Sequence, residues 1–490
     1  MNQLYFGDCL DILKDLHAKH PAGFIDLIYI DPPFNSKRNY NILFEDVDLH
    51  DTKAQKQAFT DTWSNVSYKD TLEQIKDLDL DLFSLLDSFD KIRISKGAVS
   101  YLTTMAIRIW YMHKVLKDTG SFYLHCDPTM SHYLKIVCDL IFDSANFRNE
   151  IIWSYKRYTA ASNRFQRLHD VILFYAKHSN GIFNQIREEY GSKSGKADSH
   201  YKQDESGRWY RWQKRKDREP YKIYLSEGRR IGDVWDISHI NASAKERLGY
   251  PTQKPEQLLE RIIEASSNKD ELVADFFCGC GTTISVSQEL NRQWLGVDIS
   301  HLAIGLIEKR LLDKYKKKVK DTYEIHGFPQ DIASAHKLAK GKGGRFEFQD
   351  WIIESKLRGV HNPKKTADGG WDGHVTFQMD KIKEIVLIEV KSGHVNVKNL
   401  REFIHVVDTQ NASIGVLVCF AEQVTKPMLL EAKNQGYYRK DIFGSRYDKI
   451  QILTVEDLLD EKEIQRPVST KGTFKTAEIV KEQSNQEKLF

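Results

Sequence analysis

Four consecutive residues, Asp31, Pro32, Pro33 and Phe34, close the apolar run "DLIYI" with groups that bear on one chemical problem. An amino group on an aromatic base is a poor nucleophile, because its lone pair is delocalised into the ring. An acceptor on each N–H draws that nitrogen toward tetrahedral geometry. The carboxylate of Asp31 and a backbone carbonyl at the prolines supply two acceptors, while the prolines fix the backbone and remove competing N–H donors. Phe34 offers a face on which a base turned out of a duplex can stack. Alone, the tetrapeptide reads equally well as a strand-ending turn over a buried ring.

A second constellation is "ELVADFFCGCGTTISVSQELNRQWLGVDIS". One strand ends at Asp275, Gly279 and Gly281 allow close approach to the backbone, and a second strand ends at Asp298. That is the pattern of a nucleoside-binding crevice, with Asp298 placed to hold ribose hydroxyls. NAD is an alternative ligand. A dinucleotide fingerprint, however, wants a glycine where this chain has Ile284.

Three further stretches carry chemistry. In "YKQDESGRWYRWQKRKDREPYK", Arg208, Arg211, Lys214, Arg215 and Lys216 interleave with Trp209, Tyr210 and Trp212, the mixture expected of a nucleic-acid surface. "WSYKRYTAASNRF" is a second candidate contact loop. In "DGGWDGHVTFQMDKIKEIVLIEVKSG", a hairpin turning at 380–383 puts Asp372 opposite Val390 or Lys391, and period two sends Glu389 and Lys391 to one face. The two carboxylates, Asp372 and Glu389, can bind Mg²⁺, and Lys391 can orient water or stabilise a phosphoryl oxygen. An exposed Glu-Lys alternation on an edge hairpin is the plainer reading.

These groups need elements to hold them. A chain of 490 residues, 41% hydrophobic and 29% charged, is ordinary globular composition with room for two or three domains. No apolar run is long enough to span a bilayer and the first ten residues do not resemble a signal peptide, so a cytoplasmic location is expected. Six scattered cysteines suggest reduced thiols, and a net charge of +3 says little about partners. From residue 1 to about 320, strands alternate with helical patterns, which predicts an α/β fold with a parallel sheet wrapped by helices on both faces. A connector over 321–344 leads to a smaller α/β block over 345–460, and a polar tail over 461–490 is expected to be mobile.

"DPPF", "ADFFCGCGTT" and "YPTQKPEQLLERII" resemble motifs IV, I and X of the amino-group DNA methyltransferases that use S-adenosylmethionine. Their order resembles the β-class, including type III modification subunits. "LYFGDCLDIL", "AFTDTW", "GSFYLHCDPTMSHYLKIVCDLIF", "NFRNEIIW" and "HDVILFYAK" extend the likeness over most of 1–320. The resemblance implies a Rossmann-like sheet, a catalytic role for Asp31 through Phe34, and a cofactor site at Asp275, Phe276, Gly279, Gly281 and Asp298. It also implies Thr252, Gln253 and Lys254 near the methionine end, Asp8 near the adenine, and a target-recognition segment over about 178–250. An Asp heading the tetrapeptide goes with adenine N6 methylation, with cytosine N4 still open. Residues 345–460 resemble the PD-(D/E)XK nuclease core in an Mrr-like variant, with Asp372, Glu389 and Lys391 matching its motif and Glu354 and Gln410 as weaker candidates. Trp371 stands where that motif has proline. The expectation is a single-chain restriction-modification enzyme acting on double-stranded DNA. A homodimer and a separate restriction subunit are its possible partners. The competing expectation is a methyltransferase whose C-terminal block binds DNA or a partner without cutting.

Overall fold

The computed structural model describes residues 1–33, 68–92, 95–156, 165–188, 202–214, 219–224, 228–241, 244–250, 252–341, 344–362, 369–379, 382–438 and 446–467. Phe34, Arg215, Lys216, the "AFTDTW" stretch and most of the 153–165 loop lie outside these residues.

Among the described residues, nine strands form the first sheet: β1 (Asn2–Phe6), β2 (Ile25–Ile30), β3 (Leu116–Cys126), β4 (Phe147–Ser154), β5 (His169–Ala176), β6 (Val234–Asp236), β7 (Leu272–Asp275), β8 (Gln293–Asp298) and β9 (Tyr323–His326). Their order across the sheet is β6-β4-β5-β3-β2-β7-β8-β1-β9. The expectation of a parallel sheet needs correction, because β5 runs antiparallel to both β3 and β4. The apolar run of β5 hides this from the sequence: a strand buried on both faces looks the same in either direction.

β2 shows how the sheet sorts its side chains. Ile28 and Ile30 join the core beneath helices α1 (Cys9–Lys19) and α2 (Lys96–Val115), whereas Leu27 and Tyr29 join the opposite core beneath α3 (Glu256–Ser266). Period two therefore sends Asp31, the next odd position, toward the α3 side. Helix α4 (Thr282–Glu289) follows β7, and α5 (His301–Tyr315), capped by Ser300, follows β8. Among the described residues, no helix is long and apolar enough to cross a membrane.

The 321–344 connector carries regular structure of its own. Tyr323–His326 is β9, an edge strand of the first sheet, and α6 (Ile332–Lys340) begins in a capping box between Asp331 and Ser334. The second sheet has the order β10 (Val360–His361), β11 (Gly373–Met379), β12 (Ile382–Val390), β13 (Ile414–Cys419), β14 (Ile450–Thr454), with helix α7 (Val397–Thr409) between β12 and β13. One buried cluster unites the two sheets: it includes Trp294, Ile304 and Ile307 from the first block and Phe348, Trp351, Ile352 and Val386 from the second. Gly305 permits the approach, since a Cβ there would stand 2.7 Å from the Ser355 carbonyl oxygen. The start of the expected mobile tail is also anchored, by Glu461 on Lys320 at 2.8 Å and by Arg466 donating to the Thr376 carbonyl at 2.9 Å. Residues 468–490 lie outside the described residues.

Candidate active sites

Segments distant in sequence meet where β2, β7 and β8 end. A cleft there is lined by Asp8, Asp31, Pro32, Pro33, Thr252, Gln253, Lys254, Asp275, Phe276, Gly279 and Asp298. Ligands of open α/β sheets lie at this edge, outside the carboxyl ends of the strands. Of the cofactor residues expected from sequence, Gly281 alone stands back from the cleft. At φ +72° it caps α4, and a Cβ there would come within 2.6 Å of Ile307.

The two strand-ending carboxylates do different work. Asp275 accepts from the Thr283 hydroxyl at 2.6 Å and the Phe277 N–H at 3.0 Å, so it ties the loop to α4. Burial pushes its carboxyl up to about 7, against those hydrogen bonds and with the charges of Asp31 and Asp298 adding to the rise. Asp298 accepts from the Gly279 N–H at 2.8 Å and the Ser300 N–H at 2.9 Å. Burial raises it to about 6, with backbone N–H groups of Ser300, Gly279 and Ile299 pulling the other way. A carboxylate held by backbone at the mouth of such a crevice can accept from a ribose diol. These residues fit the nucleoside of S-adenosylmethionine. They fit NAD poorly: Ile284 is buried against β8, with its Cδ1 only 2.9 Å from where a Cβ of Gly296 would be, so the helix is not drawn onto the strand by a glycine of its own.

Around this pair, Asp8 caps α1 through the Leu10 N–H at 2.8 Å, and Arg108 grips both its oxygens at 2.8 and 2.9 Å. Gln253 uses its amide to hold the neighbouring loop, accepting from the Leu248 N–H at 2.8 Å and donating to the Glu246 carbonyl at 2.6 Å. Lys254 donates to Asp31. Sequence reasoning missed Arg108 and the Lys254–Asp31 contact, because partners 100 and 223 residues apart leave no local pattern. Thr283 belongs to the glycine-loop stretch, but its residue type alone does not mark it as the partner of Asp275.

The basic and aromatic stretch forms a small antiparallel sheet of Lys202–Gln203, Trp209–Gln213 and Tyr221–Tyr224. Trp209 and Trp212 are exposed, as are Arg211 and Lys214. Lys222 lies over the rings of Tyr210 and Trp212, at 4.4 and 5.7 Å from their centroids. Arg208 pairs with Asp204 at 3.2 Å. Trp153, which opens the second candidate contact loop, is a core residue whose indole donates to the Ile237 carbonyl at 2.8 Å.

In the second block the hairpin register differs from expectation. β11 and β12 pair from Gly373 with Ile388 to Met379 with Ile382, one residue short of the pairing that would set Asp372 opposite Val390, and the Asp372 N–H donates to the Ile388 carbonyl at 2.8 Å. The ladder runs further toward its tip than the polar run 380–383 suggested. Asp372 accepts from the Val390 N–H at 2.7 Å and from the Gln349 side chain at 2.7 Å, and Lys391 pairs with Glu389 at 2.6 Å. Glu354 faces His361 at 3.3 Å instead, and Gln410 is exposed at the C-terminal cap of α7. Gln349 takes the helical position expected for Glu354. Among the described residues, no group of three or more His, Cys, Asp or Glu is placed to hold a metal ion. Carboxylates at the open end of one hairpin, Asp372 and Glu389, still suit Mg²⁺, which keeps several waters and binds through one or two carboxylates.

The sequence model of a DNA methylase family matches residues 25–309, and that of a restriction endonuclease family matches residues 347–439. The DNA adenine methyltransferase YhdJ of Escherichia coli (strain K12) is 26% identical over 311 residues, covering 62% of this chain and 81% of that protein. The type II methyltransferase M.HpaI of Haemophilus parainfluenzae is 26% identical over 314 residues, covering 63% and 74%. Among solved structures, the PvuII DNA methyltransferase (cytosine-N4-specific) is 16% identical with a TM-score of 0.38, covering 66% of this chain and 95% of that one.

Proposed function

We propose that this chain, which belongs to the DNA methylase family, methylates the N6 amino group of adenine in double-stranded DNA and cuts DNA with its C-terminal block. The observation that carries the reading is the cleft in which Asp31, Pro32 and Pro33 stand beside Asp298 and the Gly279 loop. S-adenosylmethionine supplies an electrophilic methyl group when bound. Asp298 would accept from its ribose, Thr252 to Lys254 would hold its methionine end, and Asp8, fixed by Arg108, would hold its adenine. Asp31 and the carbonyl of Pro32 accept from the target amine and localise its lone pair. Exposed Arg211, Lys214, Trp209 and Trp212 suit phosphates and bases. Adenine is favoured over cytosine by the Asp that heads the tetrapeptide and by the likeness to an adenine methyltransferase.

In the second block, Asp372 and Glu389 would hold Mg²⁺, which polarises a phosphate and activates water when bound, while Lys391 steadies Glu389 and can stabilise a phosphoryl oxygen. A second copy of the chain, to serve both strands of a site, and a separate restriction subunit are the partners this reading allows, with the cytoplasm as its location. Mass spectrometry of digested DNA from cells expressing the wild type or Asp31→Ala tests the first activity. N6-methyladenine should appear with the wild type alone; exclusive 4-methylcytosine or unmodified DNA overturns the assignment. Incubating unmodified and premodified plasmid with Mg²⁺ tests the second. If neither plasmid is cut, and deleting the block weakens DNA binding, the block is a binding module.

A further inference from the structure

The carboxylate that should receive the target amine already holds a cation. Lys254 Nζ donates to Asp31, and the two side chains are only 12% and 15% exposed. The fold makes the contact natural: Asp31 lies on the α3 side of β2, and Lys254 sits two residues before α3 begins at Glu256. The same ammonium lies near Asp170. Burial there is outweighed by hydrogen bonds from His125 and Tyr155 and by the Lys254 charge, which hold that carboxyl below its ordinary range.

The pairing opposes the reaction. As the N–CH₃ bond forms and the C–S bond breaks, positive charge passes from sulfur to the amine nitrogen, which then releases a proton. An ammonium at Asp31 repels that charge and weakens Asp31 as an acceptor. Among the described residues two cations line the cleft, Arg108 and Lys254. Arg108 is committed, with both oxygens of Asp8 at 2.8 and 2.9 Å and Cys9 Sγ at 3.2 Å. Lys254 is a point charge on a flexible stem and can change partner. The cofactor carries a carboxylate.

We propose that Lys254 is a latch operated by that carboxylate: it occupies Asp31 until the cofactor's amino-acid end draws it away, so that Asp31 accepts the target amine only with methyl donor in place. The inference rests on the methyltransferase reading and makes Lys254 a positioning residue. Because drawing it away breaks an ion pair, Asp31 and cofactor affinity are linked.

The test is calorimetric binding of two probes to the full chain: S-adenosylhomocysteine, and its decarboxylated analogue, which keeps the nucleoside, thioether and amine. Asp31→Asn should tighten S-adenosylhomocysteine about fivefold, the worth of one ion pair, and leave the analogue unchanged. Lys254→Met should weaken S-adenosylhomocysteine and abolish the gain from Asp31→Asn; Lys254→Arg should restore both. Equal effects of Asp31→Asn on the two probes, or the same gain in the Lys254→Met background, overturn the latch. Should Lys254→Met fail to fold, the response of Asp31→Asn to the two probes decides alone. A wild type that binds neither probe overturns the methyltransferase reading and the latch with it, whereas equal binding of both probes overturns the latch only.

Discussion

Replacing Asp31 with Ala removes an acceptor for the target amine and leaves Asp298 with its own backbone donors. Methyl transfer should fall by at least about a hundredfold, as when a preorganised polar group is lost, with cofactor affinity not weakened. Parallel loss of rate and affinity would move Asp31 into the cofactor site. Asp298 gives a pH prediction. Burial lifts its carboxyl to about 6, so the folded protein binds a proton there over a range, from the ordinary value near 4 up to about 6, in which the unfolded chain has released it. Its contribution to stability therefore declines as pH rises through that range. Affinity for S-adenosylhomocysteine should move oppositely, rising as pH climbs through about 6, because the ionised group is the better ribose acceptor. Titration calorimetry from about pH 5 to about pH 8 checks the sign, and Asp298→Asn should flatten the profile.

At the scale of elements, the turn from β7 into α4 depends on Gly281. A side chain there would sit in left-handed backbone and press on Ile307 of the neighbouring helix. Gly281→Ala should cost roughly 2 to 4 kcal/mol, combining left-handed strain with overpacking. Denaturant midpoints measure it; an unchanged midpoint would show that α4 and α5 part easily at this point. The loop also connects packing to chemistry, since Gly279, two residues earlier, donates to Asp298. A shift of α4 should therefore weaken cofactor binding as well.

Across the whole molecule, the buried cluster shared by Trp294, Ile307, Trp351 and Ile352 joins the two sheets into one packed body. Scanning calorimetry should show one cooperative transition, and two well-separated transitions would count against that packing. Chemistry should nonetheless divide by block. Asp372→Ala, Glu389→Ala and Lys391→Ala should each abolish Mg²⁺-dependent cutting and leave methylation intact, because these residues belong to the β11–β12 hairpin and its flanks, apart from the first cleft. Loss of methylation in all three would point to coupling through the shared core.

Local chemistry determined much by itself. Asp31-Pro32-Pro33, the glycine loop and the alternation of Glu389 with Lys391 could each be read because strand period and turn residues act over a few positions. Tertiary structure decided the rest. β5 took its antiparallel direction from its neighbours, and the supposed connector became β9 and α6 because the sheet had an edge to complete. A longer ladder shifted the hairpin register, and Gln349 rather than Glu354 came to donate to Asp372. Arg108 on Asp8 and Lys254 on Asp31 had no signature at all. Contacts between residues so distant in the chain are fixed only when the sheet stacks its strand ends at one edge, and that is where the charges meet.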